Sequence, residues 1–293
     1  MEYVLVFGCP RSGTTYLHRV LRCLRRVEAK IGNFIPVVIP HLVNQNISQE
    51  QYRALCGSLP RAIDIYLSGE YNSRFRALED WWTAPDQWAR LKHVVRRGPR
   101  PRPNFFVYKE PFFSLAPELA FDALPEAKVI YIYRDGRDVA NSLTSSYGVL
   151  TDRELTHRHS AEMRFGRAHD HRYVPWWVEE NSEEEFVQCS PYARSIWMWA
   201  HMVERCRAYF EDLDGSTSDR LLQVQYETFM EHPHETGARI FEHLGAEPTK
   251  ASQRQLNRAQ TTSIGKHRQQ RSRKEIEAAE QVAGQALERL GYL

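Results

Sequence analysis

The chain has 293 residues, 42% of them hydrophobic and 26% charged, which suits one large or two small α/β domains with a real core. A formal net charge of +2 excludes a broadly basic nucleic-acid-binding or membrane-adhering surface, so any anion site must be local. Cys9, Cys23, Cys56, Cys189 and Cys206 form no CxxC pair, and no apolar run reaches the length of a membrane span. Reduced thiols in a cytoplasmic protein are therefore expected.

The run Tyr3–Phe7 follows Met1 and Glu2 at once, which predicts a strand and no secretory leader. Thr14–Arg26 sets Leu17, Val20, Leu21 and Leu24 on one stripe and predicts a helix. Val27–Ile31 is a weaker strand, Phe105–Tyr108 an aromatic and β-branched one, and Val129–Tyr133 (VIYIY) the strongest in the chain. A short helix is predicted over Arg137–Thr144 and a long one over Ser195–Phe210, with Ile196, Trp199 and Val203 on its core face. Leu221–Gln225 reads as the last strand. Pro233–Leu244 begins with a Pro suited to a helix start and stops at Gly245, and Lys274–Leu290 closes the chain as a helix. Apolar strands alternating with helices predict an α/β fold, a parallel β-sheet flanked by helices in one domain over residues 1–293. Arg96–Pro103 (RRGPRPRP) reads as an exposed basic loop, and residues 145–192 are polar and His-rich, acidic at Glu179–Glu185.

Two segments carry chemistry. Gly8-Cys9-Pro10-Arg11-Ser12-Gly13-Thr14-Thr15 lies between a strand and a helix, where free amides and the helix dipole favour an anion. Gly13 lets the backbone approach, Thr14 and Thr15 add hydroxyls, and Arg11 adds a planar, permanent charge. The spacing is that of a Walker loop, but Thr14 stands where a Walker loop has Lys, and VIYIY runs into Arg134 rather than an acidic Mg²⁺ ligand. The second segment, Arg134-Asp135-Gly136-Arg137-Asp138-Val139-Ala140-Asn141-Ser142, places Arg134 at the ligand edge of the sheet. Asp135 suits an N-cap, and Ser142 lies about two turns into the helix. Arg134 and Ser142 can grip one phosphate from two sides, although Arg and Asp also pair at strand–helix corners without a ligand.

Together the two segments resemble the sulfotransferases that use 3′-phosphoadenosine-5′-phosphosulfate (PAPS) and release 3′-phosphoadenosine-5′-phosphate (PAP). PRSGTT looks like that family's 5′-phosphosulfate loop and YRDGRDVANS like its 3′-phosphate segment. The stretch FVYKEPFF is similar to bacterial and tyrosylprotein members. The resemblance implies a P-loop nucleotide-hydrolase-like fold, PAPS as donor, no metal, and Pro10–Thr15, Arg134 and Ser142 as donor contacts. It also gives Lys109 the place of the family's catalytic lysine. By position Tyr226, in QYETFMEHP, would lie by the adenine, and Lys266 and Arg268, in SIGKHR, would close over the 3′-phosphate. Residues 36–103 and 145–192 match little of the family and are expected to form acceptor-side or lid insertions.

The implied reaction moves a sulfuryl group to an acceptor hydroxyl, with Lys109 and Arg11 stabilising the leaving oxygen. Many members place a catalytic Glu about twenty residues past the loop Arg, but Ala29–Phe34 holds no acid. The base candidates are His41, Glu28, Glu110 and His18, with His41 placed ahead of Glu28; Glu110 is expected to face away from its neighbour Lys109, and His18 to face solvent or core. The HxH pairs His157/His159, His169/His171 and His232/His234 lack the ligand set of a zinc site. Trp81/Trp82 and Trp176/Trp177 are expected either to line an apolar pocket or to pack a core. A hydrophobic small molecule is the expected acceptor. Tyrosine or carbohydrate sulfation, a P-loop kinase or hydrolase, and a nucleic-acid-binding module are the competing readings.

Overall fold

Among the described residues, five strands form one parallel sheet in the order β2-β3-β1-β4-β7: β1 (Glu2–Phe7), β2 (Val27–Ile31), β3 (Phe105–Lys109), β4 (Lys128–Tyr133) and β7 (Leu221–Gln225). The computed structural model describes residues 1–32, 42–44, 46–68, 103–159 and 166–293. His41, Trp81, Trp82 and all of Arg96–Pro103 except Pro103 lie outside them.

Side chains alternate across the sheet, as strand geometry requires. Val4, Val6, Val107, Ile130 and Ile132 pack beneath the helix Thr14–Leu21, while Leu5, Phe7, Phe106, Tyr108 and Tyr131 form the opposite core. Burial of each such side chain contributes about 1.5–3 kcal/mol. The opposite core is covered by the helices Gln49–Ser68 and Pro117–Ala123 and by Cys206 and Phe210 of the helix Pro191–Glu211. No helix among the described residues is long and apolar enough to cross a membrane.

The predicted first helix stops at Leu21 rather than Arg26, since the chain turns through Arg26 at φ +52° to enter β2. The long helix begins earlier than predicted, at Pro191, where Ser190 accepts a hydrogen bond from the Ala193 amide. Residues 145–192 hold the helix Asp152–His159, an antiparallel pair β5 (Gly166–His169) and β6 (Arg172–Pro175), and the helix Glu183–Gln188. The guanidinium of Arg194, fully buried, ties this stretch to the long helix through Leu150 O at 3.0 Å, Phe186 O at 3.0 Å and Asp152 at 2.9 Å. Trp177 and Trp199 both belong to the core beneath it.

At Gly136 an added Cβ would lie 2.3 Å from the buried Trp199 ring, whose Nε1 donates to Arg134 O at 3.1 Å. Gly136→Ala is therefore expected to cost about 1–3 kcal/mol, read as a lowered urea midpoint; an unchanged midpoint would show that the ring yields freely.

From β1 the chain crosses to the edge strand β2 and returns to β3 on one side, then passes β1 to add β4 and β7 on the other. The reversal leaves a crevice at the carboxyl ends of β1 and β4, the usual ligand position in an open parallel sheet. The loop after β1 and Arg134 after β4 flank that crevice.

Candidate functional site

The loop after β1 has a backbone that only certain residues permit. Gly8, at φ +151°, runs so close to β4 that a Cβ would lie 1.9 Å from Ile132 O. Gly13, at φ +99°, is the N-cap of Thr14–Leu21; a Cβ there would meet the Tyr226 ring at 2.4 Å. Arg11 also has a left-handed backbone, φ +76°, and the Ser12 amide donates to Cys9 O at 3.0 Å to close the turn. No side chain caps the helix and no acidic residue lies in its first turn, so its leading amides and dipole are available to an anion.

A cavity of about 290 Å³ opens beside this helix start. Arg11, Gly13, Thr14, Thr15 and Tyr16 form one wall, and Arg134, Asp138 and the helix residues Asn141, Ser142, Ser145 and Ser146 contribute another; Tyr226, Ser263, Lys266 and Gln270 also line it. That volume sits at the low end of small-ligand sites, which run from about 300 to 1,000 Å³. Arg11 Nε donates to Ser142 Oγ at 2.9 Å and its Nη1 to Tyr147 Oη at 3.1 Å, so the two motifs meet directly. Three cations, Arg11, Arg134 and Lys266, face one carboxylate, Asp138.

Arg134 is only 6% exposed. Its Nη1 donates to Arg11 O at 3.3 Å, its Nη2 to Ser263 O, and its guanidinium stacks 4.6 Å from the Tyr226 ring centroid. Its Nε has no hydrogen-bond partner among the described residues. A buried donor left in that state costs about 1–3 kcal/mol, and an oxyanion in the cavity is the type of ligand that satisfies it. Tyr226 Oη pairs with Ser263 Oγ at 2.8 Å, fixing the ring between Gly13 and Arg134.

Lys109 ends β3 in register with Val6, on the sheet face covered by Thr14–Leu21, and is 8% exposed. It lies beside the cavity rather than on its wall. Burial lowers its pKa; Glu110 opposes the shift, and Arg11 adds to it. His18 shares this region. The ring is 2% exposed, among the described residues neither nitrogen meets a partner in good hydrogen-bond geometry, and its pKa is lowered to about 3, first by burial and then by Arg22, Lys109 and Arg19, against a weaker hydrogen-bond pull from the Lys30 backbone. The imidazole is therefore neutral at ordinary pH and faces core rather than solvent. Because the buried ring finds no more than a weak bond to the Lys30 backbone among the described residues, His18→Leu is expected to raise stability by about 1 kcal/mol in urea unfolding; a loss of that size would show that the ring is firmly bonded.

Other expected residues lie elsewhere. Glu28 pairs in register with Phe106, so it sits on the opposite sheet face from Lys109 and about 10 Å short of it along the strands. Its carboxylate accepts from Tyr66 Oη at 2.6 Å, and the structure does not bring it to the site. Glu110 does point away from Lys109: its side chain accepts from the Phe112 amide at 3.2 Å and caps the turn Pro111–Leu115. Arg268 is exposed and absent from the cavity wall, whereas Lys266 is on it. Pro10 and Ser12 shape the loop but do not line the cavity. Sequence reasoning missed Asp138, Asn141 and His267, which tie the wall together; the i,i+4 spacing of Arg134 and Asp138 was the available signal.

The model of the sulfotransferase family matches residues 4–177, more than half of the chain, including both motifs and Lys109. No curated protein matches the chain in sequence. Among solved structures, sulfotransferase STF9 from Mycobacterium avium is 14% identical, with 98% of this chain and 76% of that one covered and a TM-score of 0.48. The sulfotransferase domain of the Synechococcus PCC 7002 olefin synthase is 16% identical, with coverage of 97% and 94% and a TM-score of 0.46. A sulfotransferase from Alicyclobacillus acidocaldarius is 13% identical, with coverage of 97% and 96% and a TM-score of 0.42.

Proposed function

Because the chain belongs to the sulfotransferase family and is thus a transferase of sulfuryl groups, we propose that it takes the group from PAPS and passes it to a hydroxyl of an apolar small molecule. The observation that carries the donor is one cavity walled on one side by the loop Arg11–Tyr16 and on the other by Arg134 and Ser142. Two anion sites facing one another across a single pocket suit a nucleotide phosphorylated at both ends.

In this reading the amides of the first turn, with Thr14 and Thr15, hold the 5′-phosphosulfate end. Arg134, Ser142 and Lys266 hold the 3′-phosphate, and Tyr226 borders the adenine. The acceptor oxygen forms a bond to sulfur as the sulfur's bond to the 5′-phosphate oxygen breaks. The pair of electrons stays on that oxygen, where Lys109 and Arg11 stabilise the growing charge. The acceptor proton passes to a base, for which His41 is the proposed residue and Glu28 is not. A base in place typically contributes about 10²–10⁴-fold. No metal is required, since Thr14 replaces the Walker lysine and the strand before Arg134 ends without an acidic ligand. The apolar acceptor is inferred from the tryptophans of the 36–103 stretch, Trp81, Trp82 and Trp88.

The test is transfer from labelled PAPS, in EDTA, across phenol, alcohol, sugar and tyrosyl-peptide acceptors. Turnover of an apolar phenol or alcohol supports the reading. Transfer confined to sugars or peptides overturns the acceptor class, and activity only with Mg²⁺-ATP overturns the donor. A pH profile adds a further expectation. Lys109 acts as an ammonium, and its pKa is lowered by burial, against Glu110 and with Arg11. Its contribution is present below that pKa and lost as pH rises through it. The alkaline fall in kcat is therefore expected at lower pH than an ordinary lysine would give, and a rate holding flat into the usual lysine range would contradict the assignment.

A further inference from the structure

We infer that Asp138, through His267, is the positioning residue that makes the site select a nucleotide carrying a 3′-phosphate; the inference rests on the donor reading above. A carboxylate in a pocket built for anions needs an explanation, because it repels the ligand it faces. Asp138 lies in the first turn of the helix Gly136–Tyr147 and is almost fully buried. Among the described residues its carboxylate meets four donors, one from Arg134 and three from the residues on either side of Lys266. Oδ1 accepts from the His267 amide at 2.9 Å and from His267 Nδ1 at 2.8 Å. Oδ2 accepts from the Gly265 amide at 2.7 Å and lies 3.4 Å from Arg134 Nη2.

One carboxylate thus joins the guanidinium of Arg134 to the backbone on either side of Lys266. The join is reinforced one turn along the helix, where Asn141 Nδ2 donates to Gln270 Oε1 at 2.8 Å and Asn141 Oδ1 accepts from Arg271 Nε at 2.8 Å. It is reinforced again at Ser263, whose carbonyl accepts from Arg134 and whose hydroxyl pairs with Tyr226. With its lone pairs committed to these donors, Asp138 presents little free negative charge to the cavity. What it does is hold Arg134 and Lys266 at one spacing, the spacing that one phosphate needs. Among the described residues no hydrogen bond joins Asp138 to the loop before Thr14; the link runs at second hand, through Arg134 Nη1 to Arg11 O, so the 5′ end, held on the amides at the helix start, is expected to feel the loss of Asp138 far less than the 3′ end.

Asparagine at this position keeps the size but turns an amide N–H₂ toward either the Gly265 and Arg134 donors or the His267 donors. One strap must then open. The expected result follows from comparing two nucleotides by calorimetry: PAP, and adenosine 5′-monophosphate, which lacks the 3′-phosphate. Wild type binds PAP the more tightly. Asp138→Asn is expected to weaken PAP by about 10–100-fold while leaving the monophosphate within about twofold, which collapses the preference. His267→Ala is expected to do the same, and His267→Gln, whose amide can still donate to Oδ1, to restore part of it.

A uniform loss for both nucleotides in the variants, or an unchanged ratio, overturns the positioning role. If Asp138→Asn does not fold, the two His267 variants decide the question by the same ratio. A wild type that shows no preference for PAP instead overturns the donor reading itself, and the positioning role falls with it.

Discussion

Lys109→Ala is expected to lower kcat by about 10²–10³-fold, the range found when a preorganised donor to a developing oxyanion is removed, with little change in affinity for PAP. The split follows from position. Lys109 ends β3 beside β1, within electrostatic reach of Arg11, yet it is not part of the cavity wall where the nucleotide is proposed to sit. Its charge is already buried before any ligand arrives, so it is strong where charge develops and contributes little to ground-state binding. Stability should not fall, since truncation removes a buried ammonium whose lowered pKa records a cost of burial, not a benefit. Single-turnover transfer and PAP calorimetry on the same variant separate the two effects. Equal losses in both would place Lys109 among the ground-state contacts, and an unchanged kcat would remove it from the chemistry.

Arg134→Ala should act in the opposite sense, weakening PAP by about 100-fold or more. Two charge-assisted hydrogen bonds to a phosphate account for much of this, at about 1.5–3 kcal/mol each. The rest comes from the wall the side chain supports: Arg11 O, Ser263 O and the Tyr226 ring each lose a partner. Asp138 would also be left buried with one donor fewer. Arg134→Lys keeps the charge but not the planar fork, and is expected to recover less than half of the lost binding free energy. Affinity for PAP within about threefold of wild type in the alanine variant would contradict the assignment.

Much of this was written plainly in the sequence. VIYIY and YVLVF announce buried parallel strands because both faces are covered and no polar alternation interrupts them. Gly8 and Gly13 announce a loop that must pass close to other backbone, and Ile132 O and Tyr226 turn out to be what it passes. Asp135 was legible as an N-cap, and its carboxylate does accept from the Arg137 amide at 2.9 Å. The hairpin of β5 and β6 was not legible: GRAH and RYVP are only four residues each, and they are held by Glu183 and Val187 O, 16 and 15 residues away.

The failures at the site have one cause. Distance along the chain makes Glu28 a base candidate behind His41, but strand register sets which face a residue takes, and Glu28 falls on the face opposite Lys109. For His18 the helix pattern alone leaves solvent or core open, whereas the packing of that helix on β3 decides for the core. Arg268 and Lys266 are two residues apart at the start of a short helix, so they take opposite sides of it and only Lys266 lines the cavity. Asp138 looked like the partner of a nearby Arg, which it is, but its other donors come from residues 265 and 267, well over a hundred positions away.

The most direct measurement is equilibrium binding of PAP to the wild-type chain in EDTA. A site that seats both phosphates should take up one PAP per chain, bind it at least about tenfold more tightly than adenosine 5′-monophosphate, and lose it on charge reversal at Arg11 or Arg134. Absence of heat with PAP, or uptake that survives both reversals, would contradict the account at its root.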